Sequence, residues 1–219
     1  WNRLRRSAPE CSADLPGGGG VAALRLRGVC LGPLALHSLL ASHSSSLLEL
    51  RLGGVSLGSA GKHVIASALV DRSGLPAIEQ LEIDLGRAEA FTLSAQSLKS
   101  TPALALPGMA LDDADAAVIG GALGSGELLQ GLEVLDLARN SGIGDLGKML
   151  LAAGIAHGAP TPEAAGRAGR GAPTLSLCRI GVGSGNSTVL ELNVGVSALR
   201  LRNVGLRPVD AALVAACFS

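Results

Sequence analysis

Leu132-Glu-Val-Leu135-Asp-Leu137-Ala-Arg-Asn140-Ser-Gly-Ile143-Gly-Asp-Leu-Gly147 decides the fold. Leu135 and Leu137 alternate with Asp136, so two leucines face one way and the acid faces the other, as in a short half-buried strand. A polar, glycine-containing bend follows. From Ile143, apolar residues recur seven, eight and twelve positions later, at Leu150, Leu151 and Ile155. That spacing is one face of a helix. The stretch therefore reads as strand, turn, helix.

The same frame recurs along the chain, and internal repetition takes precedence over any other sequence signal. Val21, Leu24, Leu26, Val29 and Leu31 set out apolar positions 1, 4, 6, 9 and 11, and Leu47, Leu50, Leu52, Val55 and Leu57 repeat them. Ile78, Leu81 and Ile83 carry the first half again, as do Leu104 and Leu106 with Met109 and Leu111. After the unit at Leu132 come Leu175 and Leu177 with Ile180 and Val182, then Leu199 and Leu201 with Val204 and Leu206. Seven units begin at 21, 47, 78, 101, 132, 172 and 196. The helical half recurs from Leu57 (Val64, Ile65, Leu69), from Leu111 (Val118, Ile119, Leu123) and from Leu206 (Leu213, Val214, Phe218). The third and sixth units fit poorly in their second halves. Asp112, Asp145 and Pro208 suit helix N-termini, where acids and a proline at the first helical position are favoured.

Over 21–218 the chain resembles the leucine-rich-repeat family, in its ribonuclease-inhibitor-like class, with Leu132 to Ile155 the nearest match to the motif. Only the fifth unit has the family's asparagine, Asn140; where the other units keep an apolar side chain at that position it is Val, Met or Ile. The resemblance implies an α/β solenoid, or horseshoe, of about seven strand-turn-helix repeats. A parallel sheet would line its concave side and helices its convex side. No repeat of this kind buries its leucines alone, so stacking makes one continuous core.

Composition agrees with thin aliphatic layers. Hydrophobic residues make up 47% of the 219 and charged residues 16%, which is too apolar for a disordered chain. One Trp, two Phe and no Tyr leave the core to Leu, Val, Ile and Ala. A formal net charge of zero gives no indication of nucleic acid or an anionic membrane as partner. No apolar run is long enough to cross a bilayer as a helix. Cys11, Cys30, Cys178 and Cys217 are widely spaced, with no CxxC, so zinc is not expected; we read them as reduced thiols in an intracellular setting.

Two segments lie outside the frame. Residues 1–20 read as a basic, Gly-rich N-terminal arm carrying Arg3, Arg5 and Arg6, with Pro16 to Gly20 as a hinge; the basic start also fits the tail of an organellar targeting segment. The repeat domain is 21–219, with a loop insertion at 156–172 rich in Ala, Gly and Pro. Ser219 follows the last apolar helix with no polar capping repeat, so a partner covering that end, or further chain, is expected.

Gly142 to Lys148 matches the GxxxxGK of a phosphate-binding loop, but Met149 stands where a magnesium-binding hydroxyl is needed, and the glycines fall on the repeat's own bend. We read the segment as structural. Gly181-Val-Gly183 lacks the third glycine of a dinucleotide fingerprint. His37, His43, His63 and His157 are scattered without a catalytic partner, and Asn186-Ser-Thr188 reads as a turn. No catalytic, metal or cofactor residue is assigned, and no small-molecule substrate is expected.

The functional surface is expected on the strands. Positions 5 and 7 of each unit point away from the core. In order they are Arg25 and Arg27, Arg51 and Gly53, Glu82 and Asp84, Ala105 and Pro107, Asp136 and Ala138, Ser176 and Cys178, Arg200 and Arg202. The face should be basic, then acidic, then basic, a pattern that would set a partner's register. It has no aromatic anchors, so a subunit held among several neighbours is expected rather than a receptor with one compact epitope. The reading is a protein-binding scaffold or structural subunit of a larger intracellular or organellar assembly, not an enzyme. The alternatives are a regulatory adaptor of the ubiquitin-ligase substrate-receptor type, or a GTPase-activating protein of the leucine-rich-repeat kind.

Overall fold

A computed structural model describes residues 10–14, 22–43, 46–71, 75, 78–98, 102–125, 128–129, 131–158, 176–182, 188–193 and 206–217. The fold is mixed α/β. The first sheet has five strands, in the order β1 (Glu10–Asp14), β2 (Ala23–Arg27), β3 (Glu49–Arg51), β4 (Gln80–Leu85) and β5 (Ala88–Ser94). The second has four: β6 (Ala103–Ala105), β7 (Val134–Leu137), β8 (Leu177–Val182) and β9 (Thr188–Asn193). Both sheets are parallel at their centres, β2–β3–β4 and β6–β7–β8, with antiparallel strands β1, β5 and β9 at edges.

Helices α1 (Pro33–His43), α2 (Gly58–Val70), α4 (Asp113–Ser125), α5 (Asp145–Gly158) and α6 (Pro208–Cys217) form a second layer, packed in that order; α3 (Ala95–Leu98) is a single turn after β5. Strand, turn and helix follow one another in β2–α1, β3–α2, β6–α4 and β7–α5. Leu24, Leu26, Leu50, Leu52, Leu81, Ile83, Leu104, Leu106, Leu135 and Leu137 are all buried. They meet Leu36, Ile65, Leu69, Val118, Ile119, Leu123, Leu151, Ile155 and Leu213 from the helices in one core running beneath both sheets.

The expected run of seven alike repeats is corrected at the third and sixth units. Each continues from its strand into an antiparallel partner instead of a helix: β4 turns back through Gly86 and Arg87 into β5, and β8 pairs with β9. That is why their second halves lack helical spacing. Because β5 takes the free edge of β4, the parallel ladder stops there and a second sheet begins at β6. A cleft of about 200 Å³, lined by Phe91, Thr92, Leu104 and Leu129 among others, lies between β5 and β6. Backbone contact across the boundary survives at the turn, where the Arg87 amide donates to the Met109 carbonyl at 2.7 Å.

The sixth unit is also shifted by three residues from its expected frame, in which Leu175 would stand level with Leu135. Cys178 lies beside Leu135 and Ile180 beside Leu137, so Cys178, Ile180 and Val182 are buried while Leu177 is only half-buried. With a side-chain period of two, a slip by an odd number of residues moves a strand's side chains to the opposite face. Strand β1 lies within the stretch read as an arm. The insertion at 156–172 lies outside the described residues beyond Gly158, where α5 ends, and so does the seventh strand at 199–201.

The helix layer closes on small residues. Helix α4, Asp-Ala-Asp-Ala-Ala-Val-Ile-Gly-Gly-Ala-Leu-Gly-Ser, is buried from Ala114 through Leu123 between α2 and α5. Gly120 and Gly154 face each other so closely that a Cβ on Gly154 would overlap the Gly120 backbone. Asn140 ties the fifth unit to the fourth: its Nδ2 donates to the Leu106 carbonyl at 2.8 Å and its Oδ1 accepts from the Leu111 amide at 3.1 Å.

Candidate functional site

The outward strand positions form two charged rows. In the first sheet, Arg25, Arg51 and Glu82 are register neighbours on β2, β3 and β4. Arg25 lies 3.6 Å from Glu49, Arg51 pairs with Glu49 and lies 3.9 Å from Glu82, and Arg27 reaches to 4.0 Å from Glu82. The acids are the more enclosed partners. Glu82 is buried, and its Oε1 makes no hydrogen bond, so the nearby guanidinium groups are what compensate its charge. Arg27 is the most open member, its side chain 63% exposed.

Asp84 is engaged within the chain. Its carboxylate accepts from the Gly54 amide, 3.1 Å from each oxygen, and from the Ala90 amide at 2.7 Å. It fixes the β4–β5 hairpin, where Ala90 sits at φ 49°, against the turn after β3.

In the second sheet the row is Ala105, Asp136, Arg179 and Glu191. Arg179 lies 3.7 Å from Asp136 and donates to Glu191 at 2.9 Å. Arg179 and Glu191 were not among the expected residues. The leucine frame places Ser176 and Cys178 outward, whereas Cys178 is in the core; alternation of Cys178, Ile180 and Val182 around Arg179 is the signal that identifies them. Ala138 is also buried. Arg200 and Arg202 lie outside the described residues. The observed order is thus basic to acidic across the first sheet and acidic, basic, acidic across the second, with each row paired internally.

The GxxxxGK segment forms an anion site that the protein fills with a carboxylate of its own. Asp113 of α4 accepts from the Gly144 amide at 2.6 Å and the Gly147 amide at 3.0 Å, occupying the N-terminus of α5 where a phosphate would sit. Lys148 points away from that position and donates to Asp210 of α6 at 2.5 Å, with both side chains fully buried. Lys62 of α2 makes the equivalent pair with Asp115 of α4. Both aspartates also cap their own helices, Asp115 through the Asp112 amide at 3.1 Å and Asp210 through the Arg207 amide at 2.9 Å. Two lysine–aspartate pairs therefore stitch α2 to α4 and α5 to α6.

On the helical side, the small residues of α4 leave a groove of about 430 Å³ between α2 and α5, with Ala117 and Gly121 on its floor and His63, Val70, Leu150 and His157 on its walls. Leu146 and Met149 are exposed on α5. Among the described residues, no group of three His, Cys, Asp or Glu side chains is placed to hold a metal ion, and no helix is long and apolar enough to cross a membrane. Comparisons with protein-family models, with curated proteins and with solved structures find no match.

Proposed function

We propose that this chain is a leucine-rich-repeat-type solenoid that binds other proteins, as a scaffold or structural subunit of a larger intracellular or organellar assembly, and is not itself a catalyst. The observation that carries this reading is the pair of ladder-mounted charge rows. Arg25 and Arg27 on β2, and Arg179 with Glu191 on the second sheet, are 42 to 63% exposed at the side chain while their backbones are held in β ladders. Their fixed spacing favours one orientation of a complementary partner. The repeat architecture is supported by four strand-turn-helix units over one core and by Asn140, the residue shared with the family's motif, which bonds the fifth unit to the fourth.

The test is size exclusion of the native protein from its source, with mass spectrometry of co-eluting chains, followed by charge reversal. A large, salt-resistant particle with fixed companions is expected, and Arg27→Glu, the most exposed change, should weaken capture of those companions without altering the circular dichroism. Arg25→Glu and Arg51→Glu added to it should deepen the loss. Normal binding by the folded triple variant would overturn the role of this face. Elution with one salt-sensitive companion would favour a regulatory adaptor.

A further inference from the structure

The guanidinium groups of the first sheet stand outside the carboxylates that neutralise them. Arg25 and Arg27 alternate on β2, and Arg51 is level with Arg25 on β3, so all three rise from one face of the ladder. Their side chains are 43, 63 and 31% exposed, against 21% for Glu49 and 10% for Glu82. On β1, Ser12 and Glu10 stand opposite Arg25 and Arg27 in register. Arg51 is bonded to Glu49, whereas Arg25 lies 3.6 Å from Glu49, Arg51 3.9 Å from Glu82 and Arg27 4.0 Å from Glu82. The longer distances compensate charge without making hydrogen bonds. Three guanidinium groups carry many more N–H donors than Glu49 and Glu82 can accept. The second sheet differs, because there Arg179 and Glu191 are about equally exposed and bonded to each other.

We infer that Arg25, Arg27 and Arg51 form a carboxylate-binding site that takes an acidic, extended segment of a partner protein. This rests on the protein-binding role proposed above and names the partner's chemistry. A guanidinium fork matches a planar carboxylate with two parallel hydrogen bonds. Arg25 and Arg27 are two residues apart on one strand, a step of about 7 Å. Side chains on one face of an extended segment recur at that same step, so Asp or Glu at alternate positions meets both arginines. Arg51, one strand over, reaches the same segment from the side. Glu49 and Glu82 stand behind the guanidinium groups, hold them in place and cancel most of the charge seen from a distance. A phosphate backbone is a poorer fit, since its binding draws on many cations in a row.

The experiment titrates the full chain into labelled short peptides with blocked ends, alternating Glu with Ser, Gln with Ser or Lys with Ser, and into labelled oligouridylate, and reads fluorescence anisotropy. The Glu–Ser peptide is expected to bind, more weakly as sodium chloride rises, and the other three are not. Arg27→Glu should lower its affinity about tenfold or more. Arg27→Lys should lower it less, because the charge stays and the fork goes. Arg139→Glu, at an exposed arginine after β7, should change nothing. Arg27 is the most exposed of the three, so its variants should fold, and an unaltered circular dichroism spectrum checks this. Equal loss from Arg27→Glu and Arg139→Glu would overturn the inference. So would binding of the Lys–Ser peptide or oligouridylate as tightly as the Glu–Ser peptide, or no binding of the Glu–Ser peptide. Fixed companions in the native particle without Glu–Ser binding would remove this site alone. Glu–Ser binding through Arg27 in a chain that elutes without companions would keep the site and remove the scaffold role.

Discussion

Lys148 Nζ lies 2.5 Å from Asp210 Oδ1 across the α5–α6 interface, and neither side chain is exposed to solvent. The ammonium has left water for one carboxylate, so the two groups depend on each other. Asp210→Ala should cost about 3–5 kcal/mol, because it leaves the lysine buried without compensation. The double variant Lys148→Met with Asp210→Leu should recover most of that, short of the roughly 1 kcal/mol of the lost cap at Arg207. Urea denaturation of the three proteins checks this, and a double variant no better than Asp210→Ala would contradict it.

Asn140 joins adjacent units through the Leu106 carbonyl and the Leu111 amide. Asn140→Ala strands both in a dry core and should cost roughly 3 kcal/mol. Asn140→Asp should fare worse, since it sets a carboxylate oxygen against the Leu106 carbonyl. Thermal unfolding of the two variants gives the order.

The contact of α4 with α5 separates packing from helix propensity. Gly154→Ala favours the helix locally, but its Cβ would overlap the Gly120 backbone. It should destabilise by about 1–3 kcal/mol. Gly124→Ala on the same interface meets only ordinary contacts, the nearest at 3.6 Å, and should stabilise by about 0.5 kcal/mol. Equal effects from the two substitutions, read by denaturant midpoints, would contradict the close approach.

The thiol pair sets an alkaline limit. Cys178 is raised by its hydrogen bond with Cys217 and by burial, so above the ordinary thiol value of about 8.5 the unfolded chain releases a proton that the native chain keeps. Stability is then lost as pH rises towards the folded value. Cys217, lowered by Cys178, contributes with the opposite sign below about 8.5. Stability of the reduced protein should therefore peak near the ordinary thiol value, and Cys178→Ala should abolish the decline above it. Denaturation midpoints across the alkaline range measure both.

Much of this was legible in the sequence, and the failures have physical causes. Leucine pairs spaced by two mark buried strands, and Val118, Ile119 and Leu123 mark a helix face, because each pattern is local. The slip at β8 arose because Leu175 and Leu177 satisfy a leucine frame as well as Cys178 and Ile180 do, although a buried cysteine packs as a small apolar residue. Strands β5 and β9 escaped although Phe91 and Leu93, and Leu190 and Leu192, alternate as strand residues do, because the repeat frame expects a helix after each strand. The charge rows were half visible: Arg25, Arg51 and Glu82 stand on the expected face, but their pairing with Glu49 depends on cross-strand register. Lys148 and Asp210, 62 residues apart, meet only after the helices stack.

The interruption between β5 and β6 makes the molecule's elasticity uneven. A hydrogen-bonded ladder resists shear, whereas the apolar walls of a cleft slide past one another. Bending between the two sheets should therefore concentrate along the α2–α4 line, with the Arg87–Met109 backbone bond and the Asp115 clasp on Lys62 as its pivot. The fold should then flex as two stiff plates on a common spine, a bend that changes the spacing of its two charge rows.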